Sequence, residues 1–331
     1  MLTRPRPTSR PRRYSPPPKR FDWRTAWTRF FQAVLLPWSR LVRLPNLFTV
    51  PGDILGGMVL AAVITRTPIN GWSLLGMSVV SLLLYSFGTI MNDICDFPED
   101  SRRRPERPLP SRQITIPQAT RAALFCLITA IILAGLNGRR PFLVAVLLAG
   151  LIIAYNLRMK KYLFSGSTAM GLCRGLNFLL GASAVAVPLG IFPPVLALSI
   201  HIFTVTWLAD GENRTQIPNK NVFIPAITFL VGWLVTLPFI PLAVLRSSGL
   251  VSLGFLLLAV ITNLYAAFAV FNRTTPPSKM RILIGRLIRS LIFWQAAWIT
   301  LAGMGHALEI GALAVGCWVL ATVIGNKIAS S

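Results

Sequence analysis

The chain has 331 residues, of which 54% are hydrophobic and 13% charged, against about 25% charged in an ordinary soluble domain. That balance excludes a soluble globular enzyme. It also makes nucleic acid an unneeded explanation for the net charge of +23, because the Lys and Arg residues fall in the gaps between apolar runs, where membrane topology accounts for them.

Residues 1–20 are rich in Pro and Arg and contain no apolar stretch able to nucleate a core. They read as a basic tail resting on anionic lipid headgroups, followed by an interfacial helix that mixes aromatics with Arg up to residue 43. We therefore divide the chain into a cytoplasmic N-terminal segment, 1–43, and a transmembrane domain, 44–331.

Apolar windows near the ~20 residues that cross a bilayer then recur: 47–65, 72–91, 118–136, 141–155, 168–187, 191–209, 222–241, 250–271, 282–304 and 307–324. Lipid-exposed backbone must satisfy its own hydrogen bonds, and no ten-residue alternation marks a barrel, so these are helices. The window from Ile282 is the weakest, since Arg286 and Arg289 fall in its first two turns. Glycines 56, 57, 171, 175 and 181 read as close helix-packing positions. His201 and His306 have no paired ligand and read as structural, while Asp53, inside the first span, must face the bundle. The four cysteines show no paired or metal-ligand spacing.

The connections after the second, fourth, sixth and eighth windows carry most of the basic residues found between windows, which places them and the N-terminus in the cytoplasm of a multi-pass inner-membrane protein. The first of these connections is the informative one. Between Asn92 and Arg112 lie five of the chain's ten acidic residues, with Asp93, Asp96 and Asp100 spaced i, i+3, i+7. On a helix that spacing stacks three carboxylates along one stripe. Pro98 predicts that the helix ends or kinks there, leaving Asp100 on a loop. Hard oxygen ligands without His or Cys favour Mg²⁺. Arg102, Arg103, Arg104 and Arg107 follow at once, and guanidinium groups bind phosphate in a bidentate manner. A diphosphate suits both halves; a loop whose charges serve only topology explains the arginines but not the concentrated aspartates.

These residues carry a resemblance. The run Asn92, Asp93, Asp96, Asp100 matches the NDxxDxxxD signature of the UbiA superfamily of membrane prenyltransferases, and the phrase from Arg107, RPLPSRQIT, matches that family's RPLPSG-like loop with Arg112 in place of glycine. The stretches RLPNLFTVPGDILGG from Arg43 and YNLRMKKYLFSGSTAMGLCRGLNFLLGAS from Tyr155 are similar as well. The resemblance implies an all-α transmembrane bundle of nine to ten helices that transfers a prenyl group from a prenyl diphosphate to an aromatic, quinone-precursor or lipid acceptor. Its implied partners are those two substrates and membrane lipids, and its cofactor is Mg²⁺. It further implies that Asn92, Asp93, Asp96 and Asp100 ligate metal and that the three aspartates serve catalysis. Asn46, Arg107, Tyr155, Lys160, Lys161 and Arg174 would contact substrate.

The family's second acidic motif corresponds to Asp210-Gly211-Glu212-Asn213-Arg214, where Arg214 stands in place of a carboxylate. Asp210 and Glu212 are the candidate metal ligands there and Arg214 a substrate contact, in what resembles a divergent branch. A non-catalytic lipid carrier or export component on the same scaffold is the alternative. A phosphatidyltransferase reading of Asp210-Gly211 fails, because its later aspartates are absent.

Overall fold

The structure, a computed structural model, describes Trp23 and residues 34–210, 222–269, 277–302 and 307–330. In chain order its α-helices are α1 (Leu36–Leu41), α2 (Leu44–Leu47), α3 (Val50–Thr65), α4 (Gly71–Arg103), α5 (Ile116–Leu136), α6 (Arg139–Leu157), α7 (Leu163–Ser183), α8 (Phe192–Asp210), α9 (Ile224–Thr236), α10 (Leu242–Phe268), α11 (Pro277–Arg289), α12 (Leu291–Ile299) and α13 (Ala307–Ser330). Among the described residues there is no strand. Among the described residues, seven segments are long and apolar enough to cross a membrane, and two shorter apolar helices, Ile224–Phe239 and Ala312–Ile324, accompany them.

Local chemistry sets the ends. Asn70 caps α4 by accepting from the Trp72 amide at 2.9 Å. Thr115 and Gln118 form a reciprocal capping box that starts α5. Gly138, at φ +125°, turns the chain directly from α5 into α6.

One expectation fails locally. Helix α4 does not stop at Pro98; it continues for 33 residues to Arg103. Proline deprives one carbonyl of its partner, but the last turns are held by side chains. Ser101 Oγ donates to the Phe97 carbonyl, Glu99 pairs with Arg103 at 2.8 Å, and Asp100 pairs with Arg107 at 2.6 Å. The window from Ile282 is one of the seven segments, over Ile282–Ile299, though its helix is interrupted at Ser290 between α11 and α12. There the Ser290 hydroxyl turns back to the Leu287 carbonyl and accepts from Asn263 Nδ2.

Consecutive helices pack in sequence order, and α3 sits inside, against α4, α7 and α12. The α3–α7 crossing is backbone on backbone. A Cβ on Gly57 would collide with the Phe178 carbonyl, and one on Gly181 with the Ile54 carbonyl, so both positions require glycine. Gly171 and Gly175 play the same part against α8. Buried Phe229 stacks between Trp294 and His201. The two ring nitrogens of His201 face the Pro225 and Leu287 carbonyls, so this histidine ties α8 to α9 and α11 as a structural residue. His306 lies outside the described residues.

Candidate functional site

Helix α4, at 1.5 Å per residue, is about 50 Å long, more than the ~30 Å of a hydrocarbon core. Its apolar run ends at Met91, and the turns beyond it carry Asn92, Asp93, Asp96 and Asp100. Because the helix is unbroken, the three carboxylates share one stripe.

Each carboxylate meets a cation from a different part of the chain. Asp96 Oδ1 pairs with Lys160 Nζ at 2.6 Å, and its other oxygen accepts from Asn92 Nδ2 at 3.0 Å. Asp100, 4% exposed, pairs with Arg107 at 2.6 Å. Asp93, 7% exposed, has Arg43 at 3.6 Å and Arg107 at 3.8 Å. Lys160 also reaches Asn92 Oδ1 at 3.4 Å.

Arg107 is held by the loop that follows α4. Leu109 and Ile114 of that loop are buried in the core, and Ile114 N bonds back to the Pro108 carbonyl. Arg112, at φ +60°, occupies the left-handed conformation that a glycine would adopt freely. Lys160 sits in a 3₁₀ turn, Met159–Lys161, directed at α4, whereas its neighbour Lys161 is exposed and meets none of the carboxylates.

Next to this cluster lies a cavity of about 360 Å³. It follows one stripe of α4, namely Ser81, Leu84, Tyr85, Gly88, Thr89 and Asn92, which is helical spacing. From Asn92 to Ser81 that stripe runs about 16 Å into the bundle. Asn46, Tyr155 and Arg174, the expected substrate contacts, also line the cavity, together with Arg43 and Asn156. Leu148, Ile152, Ile202, Ile288 and Leu291 form apolar wall.

Deeper in, a polar cluster joins three helices. Fully buried Asp53 pairs with Arg174 at 2.6 Å and accepts from Asn177 Nδ2 at 3.0 Å and Gln295 Nε2 at 2.6 Å. Arg174 in turn donates to the carbonyl and hydroxyl of Thr49. Arg174 is thus a cavity residue whose charge is already balanced by Asp53.

The donor set at the end of α4 is all oxygen, which is what Mg²⁺ takes. Asp93 is buried, yet its cations stand beyond hydrogen-bond length, so its carboxylate has coordination capacity left. Among the described residues no three His, Cys, Asp or Glu side chains converge on one point. A cation held here would need oxygens from a bound ligand as well, the usual arrangement for Mg²⁺ with phosphates. Of the second acidic motif, Glu212 and Arg214 lie outside the described residues, as does the side chain of Asp210. Ala209, immediately before it, lines the cavity.

Residues 54–297 match the model of the UbiA prenyltransferase family. The chain belongs to that family. Among curated UbiA relatives, the digeranylgeranylglyceryl phosphate synthase of Methanococcus aeolicus is 26% identical over 255 residues, covering 72% of this chain and 87% of the relative. That of Methanothermobacter thermautotrophicus is 27% identical over 210 residues, covering 61% and 73%. Of solved structures, a UbiA homologue from Archaeoglobus fulgidus bound to GPP and Mg²⁺ superposes with a TM-score of 0.55 at 17% identity, covering 80% of this chain and 99% of that one. The apo UbiA homologue from Aeropyrum pernix K1 gives 0.57 at 15% identity, covering 81% and 98%. These structural likenesses speak to the fold.

Proposed function

We propose that the protein transfers a prenyl group from a prenyl diphosphate to a lipophilic acceptor at the Asn92 end of the cavity. The observation that carries this reading is the meeting of three α4 aspartates with three cations, Arg43, Arg107 and Lys160, beside a largely apolar cavity. Three negative and three positive side chains balance when the site is alone. A diphosphate accompanied by divalent cation brings charges of both signs, so carboxylates and cations can exchange partners with little net charge left over. The names of the relatives, and the GPP and Mg²⁺ bound by the A. fulgidus homologue, support the same donor class.

In this reading Asn92, Asp93, Asp96 and Asp100 hold Mg²⁺, which when bound draws charge onto the departing diphosphate. Arg43, Arg107 and Lys160 bind and orient the phosphate oxygens, as fixed donors do for developing charge. Asn46, Tyr155 and Arg174 shape the cavity, and the apolar wall keeps water from the allylic carbon. Asp210 and Glu212 serve as the second metal-binding pair and Arg214 as a further diphosphate contact. The excess of Lys and Arg in this connection supports a cytoplasmic site, and cysteine labelling at Ser101 from the cytoplasmic side only is the expected outcome.

The test is calorimetry of the purified protein with a non-hydrolysable prenyl diphosphate analogue, with and without Mg²⁺. Binding at least about tenfold tighter with Mg²⁺ is expected. Equal affinity in both conditions removes the metal-bridged reading, and binding of the analogue by a protein that transfers no prenyl group from the reactive diphosphate to any acceptor would favour a lipid carrier.

A further inference from the structure

Helix α11 has two jobs on its inner side. Ile284 and Ile288 line the cavity, while Leu283 and Leu287 are buried against α8 and α10. On a helix of about 3.6 residues per turn, Ile282, Arg286 and Arg289, at i, i+4 and i+7, share the remaining stripe, which faces away from the cavity. Ile282 is exposed, and so are Ile261, Tyr265 and Phe268 on the adjoining α10.

The two arginines of this stripe are half-buried, and their charges are brought to one level. The Arg286 guanidinium stands over the Tyr265 ring, 5.5 Å from its centre. Arg289 folds back along the helix, so that a Cβ on Gly285 would lie 3.2 Å from its Nη1. That puts the Arg289 guanidinium one turn before its own Cα, level with Arg286, and glycine at 285 leaves the room for it. Among the described residues neither arginine pairs with a carboxylate. Like charges on one helix face repel, and a guanidinium cannot relieve the repulsion by losing a proton. Arginines within an apolar span are costly and mark a binding site by default. What this pair lacks is an anion.

The surroundings say which anion. Helices α5 to α10 carry the chain across the bundle and back, so α10 ends and α11 begins on the side where α4 ends. At that rim the arginine pair is bordered by the exposed apolar side chains of Ile261, Tyr265, Phe268 and Ile282, a surface suited to lipid rather than to a free ion. A phospholipid meets both halves. Its phosphodiester accepts from guanidinium groups, and its acyl chains run along Ile261, one turn deeper on α10 than Tyr265. A headgroup with its own ammonium would leave the arginines uncompensated, whereas an anionic one would not. We infer that Arg286 and Arg289, with Tyr265 holding Arg286 in place, bind the phosphate of an anionic phospholipid on the outer face of α11. The site lies across α11 from the cavity, so the inference is independent of the prenyl-transfer reading.

The test titrates the detergent-purified full chain with phosphatidylglycerol, with phosphatidylcholine of the same acyl chains and with glycerol phosphate, read by native mass spectrometry. The parent is expected to bind its first phosphatidylglycerol about tenfold tighter than phosphatidylcholine, and glycerol phosphate more weakly than either. Arg286→Gln combined with Arg289→Gln should cut the preference between the lipids below about threefold. Arg139→Gln combined with Arg140→Gln, the same loss of charge at the exposed pair that opens α6, should keep it. No preference in the parent, a preference kept by the α11 variant, or an equal loss in both variants would overturn the inference, the last by showing that overall charge governs binding. Glycerol phosphate bound as tightly as the lipid would overturn it too, since the site would then serve a free anion. Should the α11 variant not fold, photocrosslinking decides. In vesicles of equal phosphatidylglycerol and phosphatidylcholine, Ile282→benzoylphenylalanine should capture mainly the anionic lipid, while Leu143→benzoylphenylalanine, exposed on α6, should capture both alike; equal capture of the two lipids at position 282 would overturn the inference.

Discussion

Replacing Asp53 by Asn changes one atom and removes one charge, and the cluster around it sets the cost. Arg174, its side chain 11% exposed, would lose its 2.6 Å counter-ion, and orphaning one member of a buried pair costs about 3–5 kcal/mol. Asn177 Nδ2 and Gln295 Nε2 both donate to the carboxylate, one to each oxygen. The new NH₂ group must therefore face a donor, which adds about 1 kcal/mol. A loss of about 4–6 kcal/mol is expected, about a thousandfold or more in the folding equilibrium. Arg174→Met should cost less, because a carboxyl left alone keeps two amide donors and can take up a proton, whereas a guanidinium cannot lose one. Asp53→Leu combined with Arg174→Met should cost less than Asp53→Asn alone, since no charge is stranded. Equilibrium unfolding in detergent, followed by tryptophan fluorescence from buried Trp294 and Trp298, reads all three. A loss below about 1 kcal/mol for Asp53→Asn, or a double variant less stable than Asp53→Asn, would refute the reasoning.

Two further outcomes follow from geometry. Gly57→Ala and Gly181→Ala each push a methyl group into a facing backbone carbonyl, so each should lower stability by about 1–3 kcal/mol, whereas Gly254→Ala, with open space around it, should be neutral or slightly stabilising in the same unfolding assay. Lys160→Met should raise the KM for prenyl diphosphate at least about tenfold, while Lys161→Met should change it less than about twofold, because only Lys160 meets Asp96; equal effects would mean that the turn carrying them is not rigid.

The parts of this molecule legible in its sequence are those where polarity is costly. Apolar windows mark the helices because a bilayer leaves backbone no other choice, and carboxylates stand out in so apolar a chain. The spacing of Asp93, Asp96 and Asp100 identifies a shared face, and the arginines after them identify an anion. Less legible is anything decided by partners remote in sequence. Proline at 98 obeys a local rule that three side-chain contacts override. Adjacent Lys160 and Lys161 look equivalent until a 3₁₀ turn rotates one inward and the other out. Arg43 opens a stretch already singled out, but only the fold brings it to Asp93. Gln295 carries a signal that was available, a polar amide in an apolar run, although nothing in the sequence links it to Asp53, more than two hundred residues away.

The most direct measurement is prenyl transfer itself. Radiolabelled geranylgeranyl diphosphate and Mg²⁺ are supplied to the parent protein with a panel of quinone, aromatic and lipid-alcohol acceptors, alongside Asp93→Ala and Asp96→Ala. Transfer by the parent to at least one acceptor, reduced by about a hundredfold or more in both variants, is the expected result. An undiminished rate in Asp96→Ala, or no turnover by the parent with any acceptor while the diphosphate binds, would contradict the assignment of chemistry to the aspartate stripe of α4.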